Sequence, residues 1–173
     1  MKGPGRLILE EPVKEDFKRF YEINADPDTN IFNPNGAMNF ETAEEAFSEM
    51  VEHWKINEFG TWSIREKENP EFIIGFGGLA DRLYGEETKL NLGYRFDKKY
   101  WGKGYATELA QTAIAFGFNE LNKNEIFALV RPKHLASIKV LVKCKMKLID
   151  ELNDVPNAEN SLIYKIEKKD IAG

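Results

Sequence analysis

The chain has 173 residues, a net charge of −5 and a 42% hydrophobic content that includes many aromatics, which predicts one domain with its own core and argues against disorder. The acidic balance argues against nonspecific nucleic-acid binding, although the 24 Lys and Arg residues leave a local basic patch open. The single Cys144 forms no intrachain disulfide, and with two distant histidines it offers no metal site of ordinary spacing.

No run approaches the ~18 apolar residues of a membrane span. The opening Met-Lys-Gly-Pro-Gly-Arg is not followed by a signal-type apolar stretch. A cytoplasmic protein is therefore expected, with no metal and with no nucleic-acid or membrane partner.

In chain order, Arg6–Glu11 predicts a strand closed by Pro12, and Asp16–Asn24 a helix with Phe17, Phe20, Tyr21 and Ile23 largely on one side. Residues 26–39, rich in Asp, Asn, Pro and Gly, predict a long loop, a length often tied to function. Thr42 and Glu45 form a capping-box pattern, after which Ala43, Ala46, Phe47, Met50, Val51 and Trp54 keep helical spacing. Phe59–Lys67 and Glu71–Leu83 alternate as strands around an Asn69-Pro70 turn, and Thr88–Asp97 follows the turn at residues 84–87. The second half predicts a helix over Gly104–Asn119, a strand over Glu125–Val130 and a helix over Leu135–Lys143. Two last strands, Met146–Leu152 and Ser161–Glu167, flank a polar hairpin loop. The order β-α-α-β-β-β-α-β-α-β-β specifies a mixed α/β (α+β) domain spanning residues 1–173.

The densest chemistry lies in Leu92-Gly-Tyr-Arg-Phe-Asp-Lys-Lys-Tyr-Trp-Gly-Lys-Gly-Tyr-Ala-Thr-Glu108. A strand ends, a turn with Gly102 and Gly104 follows, and a helix begins. This arrangement aims backbone N–H groups at an anion at a helix N-terminus. A P-loop is excluded because Lys103 is followed by Gly104 rather than Ser or Thr. A dinucleotide fingerprint is excluded because Thr107 sits where a third Gly or Ala belongs. A phosphate-bearing ligand fits, and the wording of the stretch points to coenzyme A.

With Gly93-Tyr-Arg-Phe…Tyr100-Trp-Gly-Lys-Gly-Tyr-Ala-Thr-Glu108 and Val130-Arg-Pro-Lys-His-Leu-Ala-Ser137 in view, the chain resembles the GNAT superfamily of acyl-CoA-dependent N-acyltransferases. Within it, the chain looks most like the branch of ribosomal-protein N-terminal acetyltransferases. The resemblance covers nearly the whole chain and implies a mostly antiparallel, splayed sheet flanked by helices. It also implies acetyl-CoA as acyl donor, an amine acceptor (a protein N-terminus or a small molecule) and a monomer or homodimer. The implied cofactor-binding residues are Trp101, Gly102, Lys103, Gly104, Tyr105 and Ala106 at the pyrophosphate, Tyr94, Arg95 and Phe96 beside the pantetheine and thioester, and His134 on the coenzyme arm. Ser137 is the implied catalytic residue, donating to the leaving thiolate. The sequence departs from the family pattern at Lys99 (usually Arg or Gln), at His134 (usually Asn) and at Lys145-Met146 (usually Gly-Phe). Leu141 stands where many relatives carry a tyrosine acid.

Each assignment has a plainer alternative. Tyr94 and Phe96 also suit core packing, Ser137 also suits a helix cap, and Lys98 and Lys99 also suit solvation. No base is assigned: Asp150, Glu151, Asp154 and Glu159 in the last hairpin, and Glu86 and Glu87 earlier, are candidates without a motif. His53, Phe32, Trp54, Trp62 and Phe76 fit either an acceptor wall or the core. Three readings follow: a protein N-terminal acetyltransferase, a small-molecule amine acetyltransferase, and a non-catalytic CoA-binding module.

Overall fold

The structure is a computed structural model that describes residues 5–171. Among them lie four α-helices, α1 (Phe17–Ala25), α2 (Phe40–Asn57), α3 (Tyr105–Asn119) and α4 (Leu135–Lys143). One sheet of seven strands holds β1 (Leu7–Glu10), β2 (Thr61–Glu66), β3 (Asn69–Tyr84), β4 (Glu87–Phe96), β5 (Glu125–Val130), β6 (Lys147–Leu152) and β7 (Ser161–Glu167), in the spatial order β1-β2-β3-β4-β5-β7-β6. The element order is the one the sequence predicts.

Most boundaries lie within two residues of the sequence reading, and two of the differences have a clear physical cause. Helix α2 starts at Phe40, because the Asn39 side chain caps it by accepting the Thr42 N–H at 2.8 Å. Asn is at least as good a cap as Thr, so the predicted Thr42–Glu45 capping box does not form the helix start. The β2–β3 turn falls at Lys67-Glu68, and Asn69 and Pro70 already belong to β3. Pro70 is tolerated at a strand's beginning, where the missing N–H costs little.

The sheet is layered. Leu79, Leu92 and Phe96 join Leu109, Ala113 and Leu141 in the larger core beneath α3 and α4. On the other face, Ile73 and Phe76 pack against Phe20, Ile23, Ala43 and Phe47 of α1 and α2. Glycine is required at residue 77, where an added Cβ would lie 2.6 Å from Leu109 and from Tyr94 Cβ.

All strand pairings are antiparallel except β4–β5. Those two strands are joined through α3, the crossover that parallel neighbours need. They share a single registered pair, Asn91 with Phe127. Past it, Leu92–Phe96 stays paired with β3, while Ala128–Val130 stays paired with β7. The sheet opens there into a gap that faces the N-termini of α3 and α4.

Candidate active site at the β4–β5 gap

One side of the gap is the turn after β4. Asp97 ends the strand: its carboxylate accepts the Lys99 N–H at 2.9 Å, and Trp101 Nε1 donates to Phe96 O at 3.0 Å. Gly102 and Gly104 have φ +73° and +83°, a left-handed backbone that other residues adopt at a cost. An added Cβ at Gly102 would meet nothing within 4 Å. The conformation, not internal crowding, calls for glycine, and the open side is available to a ligand. The first helical bond of α3 runs from Glu108 N–H to Gly104 O at 3.1 Å. The N–H groups of Tyr105, Ala106 and Thr107 therefore stand outside the helical ladder, at the positive end of the helix dipole.

The side chains of this turn have separate duties. Tyr105 is buried, its hydroxyl bonds Glu66, and that bond holds its pKa up at about 12. Arg6 lies over the Tyr105 ring at 4.3 Å. Ala106 is partly buried against the core. Lys103 Nζ lies 4.9 Å from the Tyr100 ring centroid, and Lys98 is held by Asp26 and Asp28. Lys103 makes no ion pair among the described residues, whereas Lys98 serves to fasten the 26–39 loop.

The strand itself carries the middle of the site. Asp97 N–H bonds Ile74 O, so alternation along β4 turns the peptide groups of Tyr94 and Phe96 away from β3, into the gap. Phe96 O is taken by Trp101, and the Phe96 side chain is buried beside Tyr105. The Tyr94 N–H and C=O remain. The side chain of Tyr94 lies on the α3 face, and its hydroxyl is buried without a hydrogen bond. Burial pushes its pKa up to about 12, against the opposing influence of Ser137. The two hydroxyls therefore approach each other, outside hydrogen-bonding geometry.

Arg95 points the other way. It is paired with Phe76, which belongs to the α1–α2 core, so its side chain shares that face and meets Asn30 Oδ1. His134 bridges the two faces. Its Nε2 is 3.3 Å from Ser137 Oγ, its ring stacks on Phe32 at 4.5 Å, and burial first, then Arg95, lowers its pKa. Imidazole is thus kept neutral at pH 7. Ser137 is not a cap: the N-cap of α4 is His134, which makes no side-chain capping bond.

Several of the candidate bases are engaged by other groups. Asp154 lies 3.2 Å from Arg131 and 3.6 Å from Arg82, and Arg131 also donates to Glu159 O at 2.7 Å. Glu151 meets Asn160 on the exposed β6, and Glu87 meets Lys89 at the far end of β4. His53 is structural, with Nδ1 on Phe59 O at 2.9 Å and Nε2 accepting from Asp81 N–H. Trp62 and Phe76 are core, Trp54 Nε1 is bonded to Thr61 O, and Phe32 alone of the four aromatics reaches the gap. Burial pushes the Cys144 thiol up to about 11, far from a reactive thiolate. The cleft walled by Ile114, Phe118, Cys144 and Ile171 sits at the C-terminal ends of α3 and α4, away from the gap.

A strand that parts from its parallel neighbour, followed by a glycine turn and a helix start, is the arrangement the resemblance implies. Residues 6–147 match the acetyltransferase (GNAT) domain model. The chain belongs to the GNAT acetyltransferase family. It is similar to the uncharacterized N-acetyltransferase p20 of Bacillus licheniformis, 29% identical with 97% of this chain and 96% of that one covered. It is also 35% identical to the uncharacterized protein YkkB of Bacillus subtilis, over 49% of each chain. In fold it matches the spermidine N-acetyltransferase of Vibrio cholerae solved with CoA and spermine, at a TM-score of 0.75 and 16% identity, covering 95% of this chain and 96% of that one. These relatives support an acetyltransferase of the GNAT family and leave its ribosomal-protein branch as one reading among several.

Proposed function

We propose that the protein transfers an acetyl group from acetyl-CoA to the primary amine of a small molecule, by direct attack in a ternary complex. The observation that carries this reading is the β4–β5 gap, which places the free peptide group of Tyr94 between the α3 N-terminus and a second, separately walled face. The N–H groups from Gly102 to Ala106, with Lys103, suit the pyrophosphate, whereas the Trp101 N–H is taken by Lys98 O at 3.2 Å. The Tyr94 peptide and hydroxyl suit the pantetheine and thioester, and a Tyr94 N–H stabilises the oxyanion that develops as the amine attacks. Ser137, with the Tyr94 hydroxyl beside it, donates to the departing thiolate.

The amine arrives as an ammonium ion and must lose a proton before attack. His134 is the neutral base among the residues lining the gap, and it relays the proton toward Ser137 Oγ. Phe96 contributes backbone only, and Arg95 belongs to the acceptor side rather than to the coenzyme.

The acceptor face favours a compact amine. The 26–39 loop is fastened over it by Lys98–Asp28, Arg95–Asn30 and the Phe32–His134 stack. The last hairpin is drawn in by Arg131 on Asp154 and Glu159 O. An extended polypeptide would have to displace both.

Calorimetric titration with acetyl-CoA, run beside ATP and NAD, tests the donor site, and saturable one-site binding to acetyl-CoA alone is expected. Thiol release on panels of small amines and N-terminal peptides tests the transfer. Turnover restricted to peptides would restore the protein N-terminal reading. Binding without turnover on any amine would leave a CoA-binding module.

A further inference from the structure

Partly buried arginines in this fold come with carboxylates. Arg19 meets Asp97 and Glu22, Arg65 meets Asp16 and Glu10, and Arg131 meets Asp154. Arg95 is the exception. Among the described residues no carboxylate lies within 4 Å of its guanidinium, and its hydrogen-bond partner is the neutral Asn30 Oδ1. A buried cation with no counter-ion is costly, and an added one recovers that cost.

The surroundings leave room for one. Asn91, Gly93 and Arg95 alternate onto the same face of β4. An added Cβ at Gly93 would meet Asn91 Nδ2 at 3.3 Å and nothing else within 4 Å. The strand thus offers a bare floor between Asn91 and Arg95, beside the peptide group that faces the gap. Phe32 and His134 wall the same end, and Asn30 holds one guanidinium nitrogen while the other N–H groups stay free for a planar anion.

We propose that Arg95, over the Gly93 floor, binds the carboxylate of the acceptor, so that the preferred acceptor is an amine carrying a carboxylate, of the amino-acid type. This rests on the reading of the acceptor face given above and names the class of molecule it takes. A guanidinium fork matches a carboxylate with two parallel hydrogen bonds, which fixes the amine relative to the thioester. A polyamine, by contrast, brings more positive charge against Arg95 and is disfavoured.

The test compares amino acids with their amides and their decarboxylated amines as acceptors, using thiol release at saturating acetyl-CoA. The carboxylate-bearing member of each set is expected to have the higher kcat/KM. Arg95→Met should raise its KM about 10- to 100-fold, with Arg95→Lys in between and acetyl-CoA affinity unchanged in both. An independent readout needs no turnover, because the protein has two histidines. An amino acid titrated into the coenzyme-free protein should move the His134 NMR signals and raise the His134 titration midpoint by neutralising Arg95. The signals of His53 should stay fixed and report the fold. Both responses should vanish in Arg95→Met.

Equal use of amino acids, amides and amines by an active enzyme overturns the proposal and leaves the acetyltransferase reading intact. So does an Arg95→Met variant that keeps the wild-type preference. Failure of the folded protein to bind acetyl-CoA overturns the donor-site reading instead, while the histidine titration still decides the carboxylate site.

Discussion

Strand β4 has two edges, and they behave differently. Toward β3 it forms ten consecutive pairs, from Gly75 with Phe96 to Tyr84 with Glu87; toward β5 it forms one. On the closed side polar groups find partners. Ser63 and Arg65 share the buried Asp16 at 2.7 and 2.9 Å, and the Glu108 carboxylate takes Arg6 Nε and the N–H groups of Arg6 and Leu7. Along the open edge partners run short among the described residues: the Tyr94 hydroxyl is orphaned, Arg95 lacks a counter-ion, and the first N–H groups of α3 point outward. Native proteins satisfy nearly all buried polar groups, so their shortage on one seam marks where ligands supply what the chain withholds. Substitutions on the open edge should therefore damage activity more than stability, and those on the closed side the reverse.

Gly104→Val breaks the open edge hardest. A β-branched residue at φ +83° costs roughly 1–3 kcal/mol of strain and moves the N–H groups that open α3. Calorimetry should find acetyl-CoA affinity reduced more than about 100-fold, while thermal unfolding shows a cooperative transition only modestly lowered. A loss of stability in proportion to the loss of binding would make the glycine purely structural.

Tyr94→Phe and Ser137→Ala come next. Each should lower kcat about 10-fold, because the two hydroxyls share the work, and together about 100-fold, the lower end of what a positioned proton donor contributes, with KM for acetyl-CoA little changed. The Tyr94 hydroxyl has no hydrogen bond to lose, so Tyr94→Phe should leave the melting temperature unchanged or raised. A melting temperature that falls along with kcat would show that the hydroxyl is a structural group.

The legibility of these groups from sequence was uneven for physical reasons. Periodicity and turn chemistry expose the α-helices and strands but not the short 3-10 turns such as Pro27–Asn30, and the glycine turn announces its backbone role because φ above zero favours glycine. Side-chain direction was another matter. Tyr94 and Arg95 are adjacent and the resemblance groups them together at the thioester, but alternation sends them to opposite faces, and the face depends on the β3 register. The resemblance implies a coenzyme contact for His134; its place between Ser137, Arg95 and Phe32 arises from three separate segments meeting at the gap. The lack of a counter-ion for Arg95 among the described residues leaves no mark in sequence at all, since a missing carboxylate is a fact about space. An arginine inside an otherwise apolar strand of the Leu92–Phe96 type was the available signal.

The pH dependence probes the same seam more gently. Burial and Arg95 depress the His134 pKa, so the imidazole stays neutral as pH falls past its ordinary value. With His134 as base, kcat/KM should decline on the acid side only below about pH 6.5. The limb should move upward in Arg95→Met, where the opposing charge is gone, and disappear in His134→Gln. The stability linked to this histidine has the same sign. A depressed folded-state pKa contributes stability above the unfolded value, and that contribution is lost as pH falls through the folded one. An acid limb unchanged in both variants would assign the base elsewhere.

Glu108→Gln tests the closed side and should touch activity least. The carboxylate sits in the first turn of α3, yet its charge is spent on Arg6 and on the backbone at the start of β1. Replacing it removes the ion pair and the oxygen that takes Arg6 Nε, while an amide oxygen in the Oε1 place still accepts both N–H groups. A loss of about 1–2 kcal/mol is expected, which for a chain of this length lowers the melting temperature by about 2–4 °C or somewhat more. The phosphate turn lies just before this residue, but its N–H groups are set by the two left-handed glycines and the Asp97 cap, not by Glu108. Acetyl-CoA affinity should therefore stay within about twofold of wild type. A large change in affinity at unchanged stability would show that β1 and the phosphate turn are mechanically coupled through Glu108, and that the closed side and the open edge of β4 are not independent.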